Sequence, residues 1–438
     1  MESLWQHHPD LPEFPNLPGD IRTDVLVIGG GMAGLLTAYC LRRRGIDAVV
    51  AEQGRICGGT TGGTTGKITA QHGLIYQKIL ASSGEDHAKQ YLAANERAVE
   101  QLKDLCIQSG CPLEVKDNYV YSTDPRKLER ELDALQKIGA KALYHAHPPL
   151  PVYAAGAVGF PRQGQFHPLK LAASLAKDLC VFEHTRVREL IGTEAVTDYG
   201  RIRAEKVVVA THFPFLNKHG SYFLKLYQHR SYLLALENVP PLQAMYVDDC
   251  GEGFTFSSFG NDFLLGGGGH RTGKQGSCWD ALRQLQARHF PGARERFHWG
   301  AQDTMSLDGI PYIGHYSRNT PDLYVAAGFN KWGMTGSMVS ANLLSAMIAG
   351  EEPEEAPVFS PSRSILNPQL LINGFETAKN LLTPTTRRCP HLGCALKYNP
   401  QERSWDCACH GSRFSQSGKV LDNPATDDWN PGPKDLPR

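Results

Sequence analysis

The stretch "TDVLVIGGGMAGLLTAYCLRRRGIDAVVAEQG", residues 23–54, decides the fold of the larger part of the chain. An apolar run comes first, followed by a glycine-rich turn, an amphipathic stretch that ends in three arginines and Gly45, and a second apolar run. This order predicts a βαβ unit in which a helix, stopped at Gly45, connects two parallel strands. The fold class that this unit indicates is α/β.

The glycine-rich turn has the spacing of a dinucleotide site. Gly29, Gly31 and Gly34 form G-x-G-x-x-G, in which the first glycine permits a tight turn, the second lets a pyrophosphate approach the backbone and the third allows close helix packing. Glu52 closes the second strand, where a carboxylate accepts hydrogen bonds from a ribose diol. We expect Met32, Ala33 and Gln53 to line the same site. NAD and FAD both fit this pattern.

Two stretches near residue 320 favour FAD. "LDGIPYIG", residues 307–314, and "LYVAAGFNKWGMTGS", residues 323–337, resemble the closing FAD signature of the D-amino-acid-oxidase-like flavoproteins, which include glycine and sarcosine oxidases. The resemblance covers about residues 22 to 350. In that superfamily a helix directs its positively polarised N-terminus at the flavin. The resemblance implies that residues 328–335 line the flavin ring, among them Gly328, Lys331, Trp332, Gly333, Met334 and Thr335.

A glycine and threonine cluster, "GGTTGGTTGKITAQHG" at residues 58–73, lies where this superfamily places its phosphate and flavin-edge contacts. The resemblance implies diphosphate contacts from Thr60, Thr61, Thr64 and Thr65. Val187, in "TRVREL", matches the strand that contacts adenine through its backbone. Threonines and glycines also make ordinary turns, so a structural role is the alternative.

The sequence assigns no catalytic base. The candidates for residues that face the flavin or the substrate are Lys67, His72, Lys331, Tyr232 and His270, and Tyr227 and His229 are further candidates in the predicted second lobe. Core packing or solvent exposure is the alternative explanation for each of them.

Four of the eleven cysteines are concentrated between residues 389 and 409, in "CPHLGC" and "CACHG". Cys389-x-His391 and Cys407-x-x-His410 supply two cysteines and two histidines, a set that suits tetrahedral zinc or a [2Fe–2S] cluster with two Cys on one iron and two His on the other. Zinc leaves two cysteines without a role. A plain disulfide knot is the third alternative.

The wider string "CPHLGC…CACHGSRFSQSG…NPA" resembles the Rieske family. The resemblance implies that Cys389 and Cys407 hold one iron, that His391 and His410 hold the other, and that Cys394 forms a disulfide with Cys409. Pro424 and Ala425 match the proline loop of that family. Only 38 residues lie between Gly350 and Cys389, so we expect a truncated Rieske-type all-β domain. Either it rests against the rest of the protein for its missing core, or its cluster is loosely held and easily lost.

These motifs predict an α/β plus β architecture in three parts. Residues 22–350 form the oxidoreductase, with a Rossmann-like FAD-binding domain at about 22–75, 180–215 and 300–350, and an antiparallel-sheet substrate lobe at about 76–179 and 216–299. Residues 351–363, which are acidic and proline-rich, form a linker. Residues 364–438 form the Rieske domain.

The charge balance and the N-terminal residues limit the partners and the location. The 45 basic and 45 acidic side chains cancel, which argues against nucleic acid or an anionic membrane as the partner. The first 22 residues lack the pattern of a secretion signal, and the uncharged run at 25–41 is too short and too rich in glycine to span a bilayer. We therefore predict a cytoplasmic protein without a membrane span.

The two expected cofactors together suggest a function. Membership of this superfamily implies oxidation of a small molecule at the C–N bond of an amine or amino acid, with hydride transfer to FAD. A Rieske cluster would then pass the electrons to a one-electron acceptor, either a redox protein or a quinone. Two alternatives stay open: an electron-transfer protein without its own substrate, and an oxidase that uses O₂ and has a structural cluster.

Overall fold

The structure is a computed structural model of the chain, and it describes residues 2–7, 11–216, 218–249 and 253–432. No helix in these ranges combines the length and the apolar character that a membrane crossing requires. The α-helices are α1 Met32–Arg43, α2 Tyr76–Ser109, α3 Pro125–Lys137, α4 Pro168–Ala176, α5 Tyr222–Lys225, α6 Cys278–His289, α7 Gly333–Ile348, α8 Ala356–Phe359 and α9 Pro368–Leu382.

The strands are β1 Ile21–Ile28, β2 Ala48–Ala51, β3 Lys67–Ile68, β4 Leu113–Ser122, β5 Leu143–His145, β6 Gly156–Phe166, β7 Cys180–Phe182, β8 Val187–Ile191, β9 Glu194–Thr197, β10 Arg201–Val209, β11 Leu226–Glu237, β12 Ala244–Asp248, β13 Thr255–Phe259, β14 Asp262–Arg271, β15 Arg294–Ser306, β16 Tyr312–His315, β17 Leu323–Ala327, β18 Leu396–Asn399, β19 Ser404–Cys407, β20 Arg413–Ser415 and β21 Val420–Asp422. They form three sheets.

The first sheet carries the βαβ unit that the sequence predicts. Its order is β16-β17-β10-β1-β2-β7, and β1 pairs in parallel with both β2 and β10. Residues 25–28 of β1 are buried because helices cover the sheet, and α1 packs against α7 there. The carboxyl ends of β1 and β2, and the start of α1, therefore meet at one edge of the sheet.

The second sheet contains the strands of the region predicted as the substrate lobe, together with β3 and the end of β15, which the sequence prediction assigned to the FAD-binding domain. Its order is β15-β11-β14-β13-β12-β4-β6-β3, with β5 on β6, and most neighbours are antiparallel as expected. One pair differs, because β4 and β12 run parallel. A long connection separates these two strands in the chain, and parallel pairing needs such a crossover. The sheet places β3, β11 and β15 beside the carboxyl edge of the first sheet.

The third sheet is small and antiparallel, with the order β18-β19-β20-β21. Its core consists of the four clustered cysteines together with Leu396, Trp405, Phe414, Ala425 and Trp429. The structure thus confirms the fold class: an α/β oxidoreductase with a second sheet, followed by a short all-β domain. We call residues 11–350 the body and residues 364–432 the C-terminal domain.

The segment expected to be a linker packs against the body. Val358 and Phe359, at the end of α8, are buried in the main hydrophobic core. Arg363 binds the carboxylate of Asp308 with Nε at 2.7 Å. These apolar and ionic contacts hold part of the stretch whose acidic, proline-rich composition predicts a linker.

Candidate functional site

The glycine turn has the close contacts that its spacing predicts. Gly29 adopts φ +111°, and a Cβ there would lie 2.5 Å from the carbonyl oxygen of Ala210. A Cβ on Gly34 would lie 1.9 Å from the carbonyl oxygen of Gly29. Both positions therefore exclude any side chain. Thr61 Oγ1 accepts a hydrogen bond from the Met32 amide at 3.1 Å, so the threonine segment contacts the start of α1.

Glu52 lies at the end of β2, facing the turn. Its carboxylate accepts hydrogen bonds from the amides of Gly30 at 2.7 Å and Gly54 at 2.8 Å. Burial raises the pKa of Glu52, while these two amides lower it. Each carboxylate oxygen has a further lone pair, so the residue can still accept a ribose hydroxyl.

We predict that Glu52→Leu weakens FAD binding by about 10- to 100-fold, because a buried hydrogen-bond acceptor is lost. Equilibrium titration of the deflavinated protein with FAD measures the effect. Glu52→Gln keeps one acceptor oxygen and serves as the matched control with a smaller loss. An unchanged FAD content in folded Glu52→Leu would contradict the assignment of the adenosine end.

A cavity extends from the glycine turn along the edge of the first sheet, and we call it the dinucleotide cavity. Its walls include most of the residues that the sequence assigned to FAD, namely Gly29, Gly31, Met32, Ala33, Glu52, Gln53, Thr60, Thr61, Thr64, Val187, Lys331, Gly333 and Met334. The structure also brings residues 421–426 of the C-terminal domain to this wall, apart from Pro424. A wall of glycines, threonines and backbone amides fits a diphosphate and a ribose.

Some predicted residues lie outside the dinucleotide cavity. Gly34 packs under the turn, and Gly328 is not on the wall. Thr335 is buried, and its hydroxyl accepts a hydrogen bond from the Thr69 amide. Thr65 and Trp332 line the neighbouring cavity instead.

The neighbouring cavity, of about 280 Å³, lies between the two sheets, and we call it the substrate-side cavity. It shares Thr64, Ala301, Asp303, Asn330, Lys331 and Met334 with the dinucleotide cavity, so the two cavities meet at these residues. Four of the five catalytic candidates line this cavity, namely Lys67, His72, Lys331 and Tyr232. His270 lies behind Tyr232, with Nε2 at 3.0 Å from the Tyr232 hydroxyl.

The bonding of His72 argues for a structural role. Its Nε2 lies 2.8 Å from the carbonyl oxygen of Thr69, and its Nδ1 lies 2.7 Å from the hydroxyl of Tyr91. Nε2 therefore donates a proton to the carbonyl, and Nδ1 accepts one from Tyr91. Burial lowers the pKa of His72 to about 3, so the ring is neutral at physiological pH. The candidates Tyr227 and His229 lie outside both cavities.

Lys67 is a buried amine in the wall of the substrate-side cavity. It lies on β3, and burial lowers its pKa to about 7. A substantial fraction of Lys67 is therefore neutral near pH 7, which makes its amine available as a proton acceptor.

The two cysteine boxes flank the third sheet, with Cys389 and His391 before β18 and Cys407 and His410 at the end of β19. The two imidazole rings meet at a centroid distance of 5.0 Å and an angle of 88°. A hydrogen bond from Cys389 lowers the pKa of the Cys407 thiol, and the backbone amides of residues 409–411 lower it further. Among the described residues, neither ring nitrogen of the buried His410 has a hydrogen-bond partner. This set of donors fits a [2Fe–2S] cluster that is bound by two thiolates and two neutral imidazoles.

Cys394 and Cys409 form a disulfide that joins the two boxes. Their sulfur atoms lie within 4.8 Å of the Cys407 sulfur. The resemblance to Rieske proteins implied this pairing, and the fold brings the two boxes together as that pairing requires.

The body holds the C-terminal domain through a buried ionic network. Glu402, in the turn between β18 and β19, binds Arg230 of β11 and Arg413 of β20, and it accepts a hydrogen bond from Tyr232 at 2.9 Å. Arg230 and Glu402 side chains are each 3% exposed. Burial alone would raise the pKa of Glu402, but Arg230 and Arg413 lower it to about 2. The carboxylate is therefore ionised at neutral pH and pairs with both arginines.

The body also contacts the second cysteine box directly. Arg271 donates from Nε to the carbonyl oxygen of Ala408 at 3.3 Å and from Nη2 to that of Cys409 at 3.2 Å. Gln302 donates to the carbonyl oxygen of Gly411 at 2.9 Å. Side chains of β14 and β15 thus hold the box, in agreement with the expectation that the small domain rests on the body.

Sequence reasoning missed several wall residues of the dinucleotide cavity: Arg186, Thr211, His212, Asp303 and the loop at 421–426. Arg186 directly precedes the predicted Val187, so its position was within reach of the sequence. The others come from segments that carry no local nucleotide pattern, and only the fold brings them there.

Comparison with known proteins agrees with this geometry. The family model of FAD dependent oxidoreductases (DAO) matches residues 24–347, and that of the Rieske [2Fe-2S] domain matches residues 366–433. The Bacillus subtilis (strain 168) protein YhfW, whose name assigns it to the Rieske 2Fe-2S iron-sulfur proteins, is 32% identical over 97% of this chain and 96% of its own length.

Two further relatives match the larger part of the chain. Gamma-glutamylputrescine oxidoreductase of Escherichia coli (strain K12) is 26% identical over 77% of this chain and 86% of its own length. The crystal structure of glycine oxidase from Geobacillus kaustophilus has the same fold, with a TM-score of 0.66 at 21% identity, over 78% of this chain and 99% of that one. The chain therefore belongs to the DAO family of FAD-dependent oxidoreductases, with FAD as its cofactor and a C-terminal Rieske domain for a [2Fe-2S] cluster.

Proposed function

We propose that this enzyme oxidises a small amine or amino acid at its C–N bond and passes the electrons through the Rieske cluster to an external one-electron acceptor. When bound, FAD accepts two electrons as a hydride, and the cluster carries one electron at a time. The observation that supports the proposal best is the position of His410, which is buried against the body instead of facing solvent.

His410 lies close to residues that line the dinucleotide cavity. Its ring packs against Phe213 and Phe223, at centroid distances of 6.5 and 6.3 Å. Thr211 and His212, which directly precede Phe213, are on the cavity wall. Residues 211–213 thus connect the FAD site with His410. This contact supports the proposal that electrons from the flavin enter the cluster on the His410 side.

His391 has a different environment. It is half-buried, and its neighbours Pro390 and Leu392 are exposed, Leu392 at 41%. An acceptor that contacts these residues approaches the cluster without displacing the body. This asymmetry supports electron exit on the His391 side, towards a redox protein or a quinone. Histidine ligation also gives Rieske clusters potentials of roughly −150 to +300 mV, which favours flow from flavin to cluster.

The residues that line the substrate-side cavity favour a small, charged substrate. It contains amines and carboxylates, among them Lys67, Lys331 and Asp303. Asp303 lies where the two cavities meet and accepts a hydrogen bond from the Ser231 hydroxyl at 3.0 Å. The names of the relatives above include two amine- or amino-acid-oxidising enzymes, which favours the same substrate class here.

Turnover with a panel of amines and amino acids tests the proposal. The protein is assayed under argon with ferricenium as the one-electron acceptor, and separately in air. We expect at least one compound to be oxidised with two ferricenium ions reduced per substrate, and little peroxide in air. Equal rates with O₂ and stoichiometric peroxide would support the oxidase alternative. A flavin that no amine reduces, but that a reduced carrier protein does, would support the electron-transfer alternative.

A further inference from the structure

The loop at residues 421–426 belongs to the Rieske domain, yet it forms part of the wall of the FAD site. We call it the covering loop. Five residues of the covering loop line the dinucleotide cavity together with the glycine turn and the end of β2, namely Leu421, Asp422, Asn423, Ala425 and Thr426. An all-β electron-transfer domain thus supplies surface to the dinucleotide cavity of its neighbour.

The side chain of Asn423 ties the covering loop to the body. Its Nδ2 donates to the carbonyl oxygens of Thr211 and Phe213, the latter at 2.8 Å. Both amide hydrogens are therefore used on one short segment after β10. That segment follows Ala210, whose carbonyl oxygen lies against Gly29 of the glycine turn.

Arg186 makes a second tie at the adenosine end. Its Nε donates to Gln53 Oε1 at 3.2 Å, and its Nη1 donates to the carbonyl oxygen of Thr426 at 3.0 Å. Gln53 follows Glu52 directly. One guanidinium therefore spans from the ribose-binding end of β2 to the covering loop.

The other side of the covering loop is anchored at the cluster site. The Ala425 amide donates to the Ser412 hydroxyl at 3.0 Å, and the Ser412 carbonyl accepts from the Cys407 amide at 2.9 Å. Asp422 binds Arg413, a member of the buried ionic network. The loop thus has one face on the second cysteine box and the other on the dinucleotide cavity.

We propose that the covering loop is a binding element for FAD, and that it couples FAD retention to assembly of the cluster. The cysteine box fixes the loop, and the loop closes the cavity through Asn423. A box without its cluster holds the loop less firmly, so FAD binds more weakly. Thermodynamic reciprocity then requires that FAD stabilise the cluster by the same factor. The inference is independent of the substrate and of the direction of electron flow.

Asn423→Ala tests the binding role, with Gln416→Ala as the matched control. Gln416 is in the same domain but binds the hydroxyl of Tyr398, away from the cavity. Deflavinated proteins are titrated with FAD by flavin fluorescence, and cluster content is checked by iron and sulfide analysis. We expect the FAD Kd to rise about tenfold in Asn423→Ala, because two hydrogen bonds are lost, and to change less than twofold in Gln416→Ala. An unchanged Kd in an Asn423→Ala protein that holds its cluster would overturn the proposal.

Cys407→Ser tests the coupling. This variant is expected to lack the cluster and to bind FAD several-fold more weakly, and Asn423→Ala added to it is expected to cause less than its tenfold effect alone. Independent, multiplicative effects would overturn the coupling.

Hydrogen exchange of the wild-type protein provides a test without any variant, should the substitutions prevent folding. Adding FAD to the deflavinated, cluster-loaded protein is expected to slow amide exchange in residues 421–426 and to leave residues 415–418 unchanged. Equal exchange in residues 421–426 with and without FAD would overturn the proposal.

Discussion

Replacing His391 by alanine is expected to abolish the Rieske-type electron paramagnetic resonance signal and to stop reduction of a one-electron acceptor. His391 is one of two imidazoles in a donor set of four, and no other histidine neighbours the box in the sequence. With FAD supplied at saturating concentration, a substrate is still expected to reduce the flavin, because the substitution changes no body residue of the two cavities. Stopped-flow absorbance measures both steps, flavin bleaching and acceptor reduction, in one experiment.

Two neighbouring substitutions control this result. Leu392→Ala shortens an exposed side chain beside the ligand and is expected to preserve the signal. Cys394→Ser removes the disulfide but no ligand, so we expect a cluster with weaker retention. If His391→Ala retained wild-type turnover with the acceptor, the cluster would have a structural role and the oxidase alternative would apply.

Replacing Glu402 by alanine is expected to lower the free energy of unfolding by about 3–5 kcal/mol, the range for breaking a buried ion pair. The substitution leaves Arg230 without its carboxylate in a buried position and removes the acceptor of the Tyr232 hydroxyl. Chemical denaturation, followed by cluster absorbance and by flavin fluorescence, measures the loss. We expect the cluster signal to disappear at the lower denaturant concentration, because Glu402 belongs to the small domain.

Two variants and a pH series sharpen this test. The double variant Arg230→Leu/Glu402→Leu replaces the pair by apolar groups and is expected to be more stable than Glu402→Ala. The exposed pair Arg188–Asp198 is the surface control, and Asp198→Ala is expected to cost no more than about 1 kcal/mol. Because the pKa of Glu402 is lowered to about 2, its contribution is complete above the usual carboxyl pKa and is lost as the pH falls towards 2. A cost below about 1 kcal/mol for Glu402→Ala would contradict the role of the network.

The sequence predicted those features whose determinants lie close together in the chain. The glycine turn, Glu52 and the two cysteine boxes are local patterns with a known spacing, so the fold class, the family and both cofactors could be inferred and are confirmed. His72 shows the limit of such reasoning, because its bonds to Thr69 and Tyr91 decide its role and the sequence does not show them.

Contacts between distant segments could not be predicted. Asn423 and Thr211 are 212 positions apart, and Arg230 and Glu402 are 172 apart. An asparagine in a loop and an arginine in a strand have many ordinary roles, so neither residue type indicates a partner. The parallel pairing of β4 with β12 escaped prediction for the same reason, since strand patterns do not specify which strands become neighbours.

The packed connection at residues 356–363 bears on how such a fusion can be rearranged. A domain joined by a loose tether can be exchanged or deleted, because each part keeps a complete surface of its own. Here a truncation after residue 350 would strip Val358 and Phe359 from the main core and leave Arg230 without its anion. A Rieske domain transplanted from another protein would need its own counterparts of Glu402 and Asn423. The two halves are therefore expected to evolve, and to be engineered, as one unit and not as interchangeable modules.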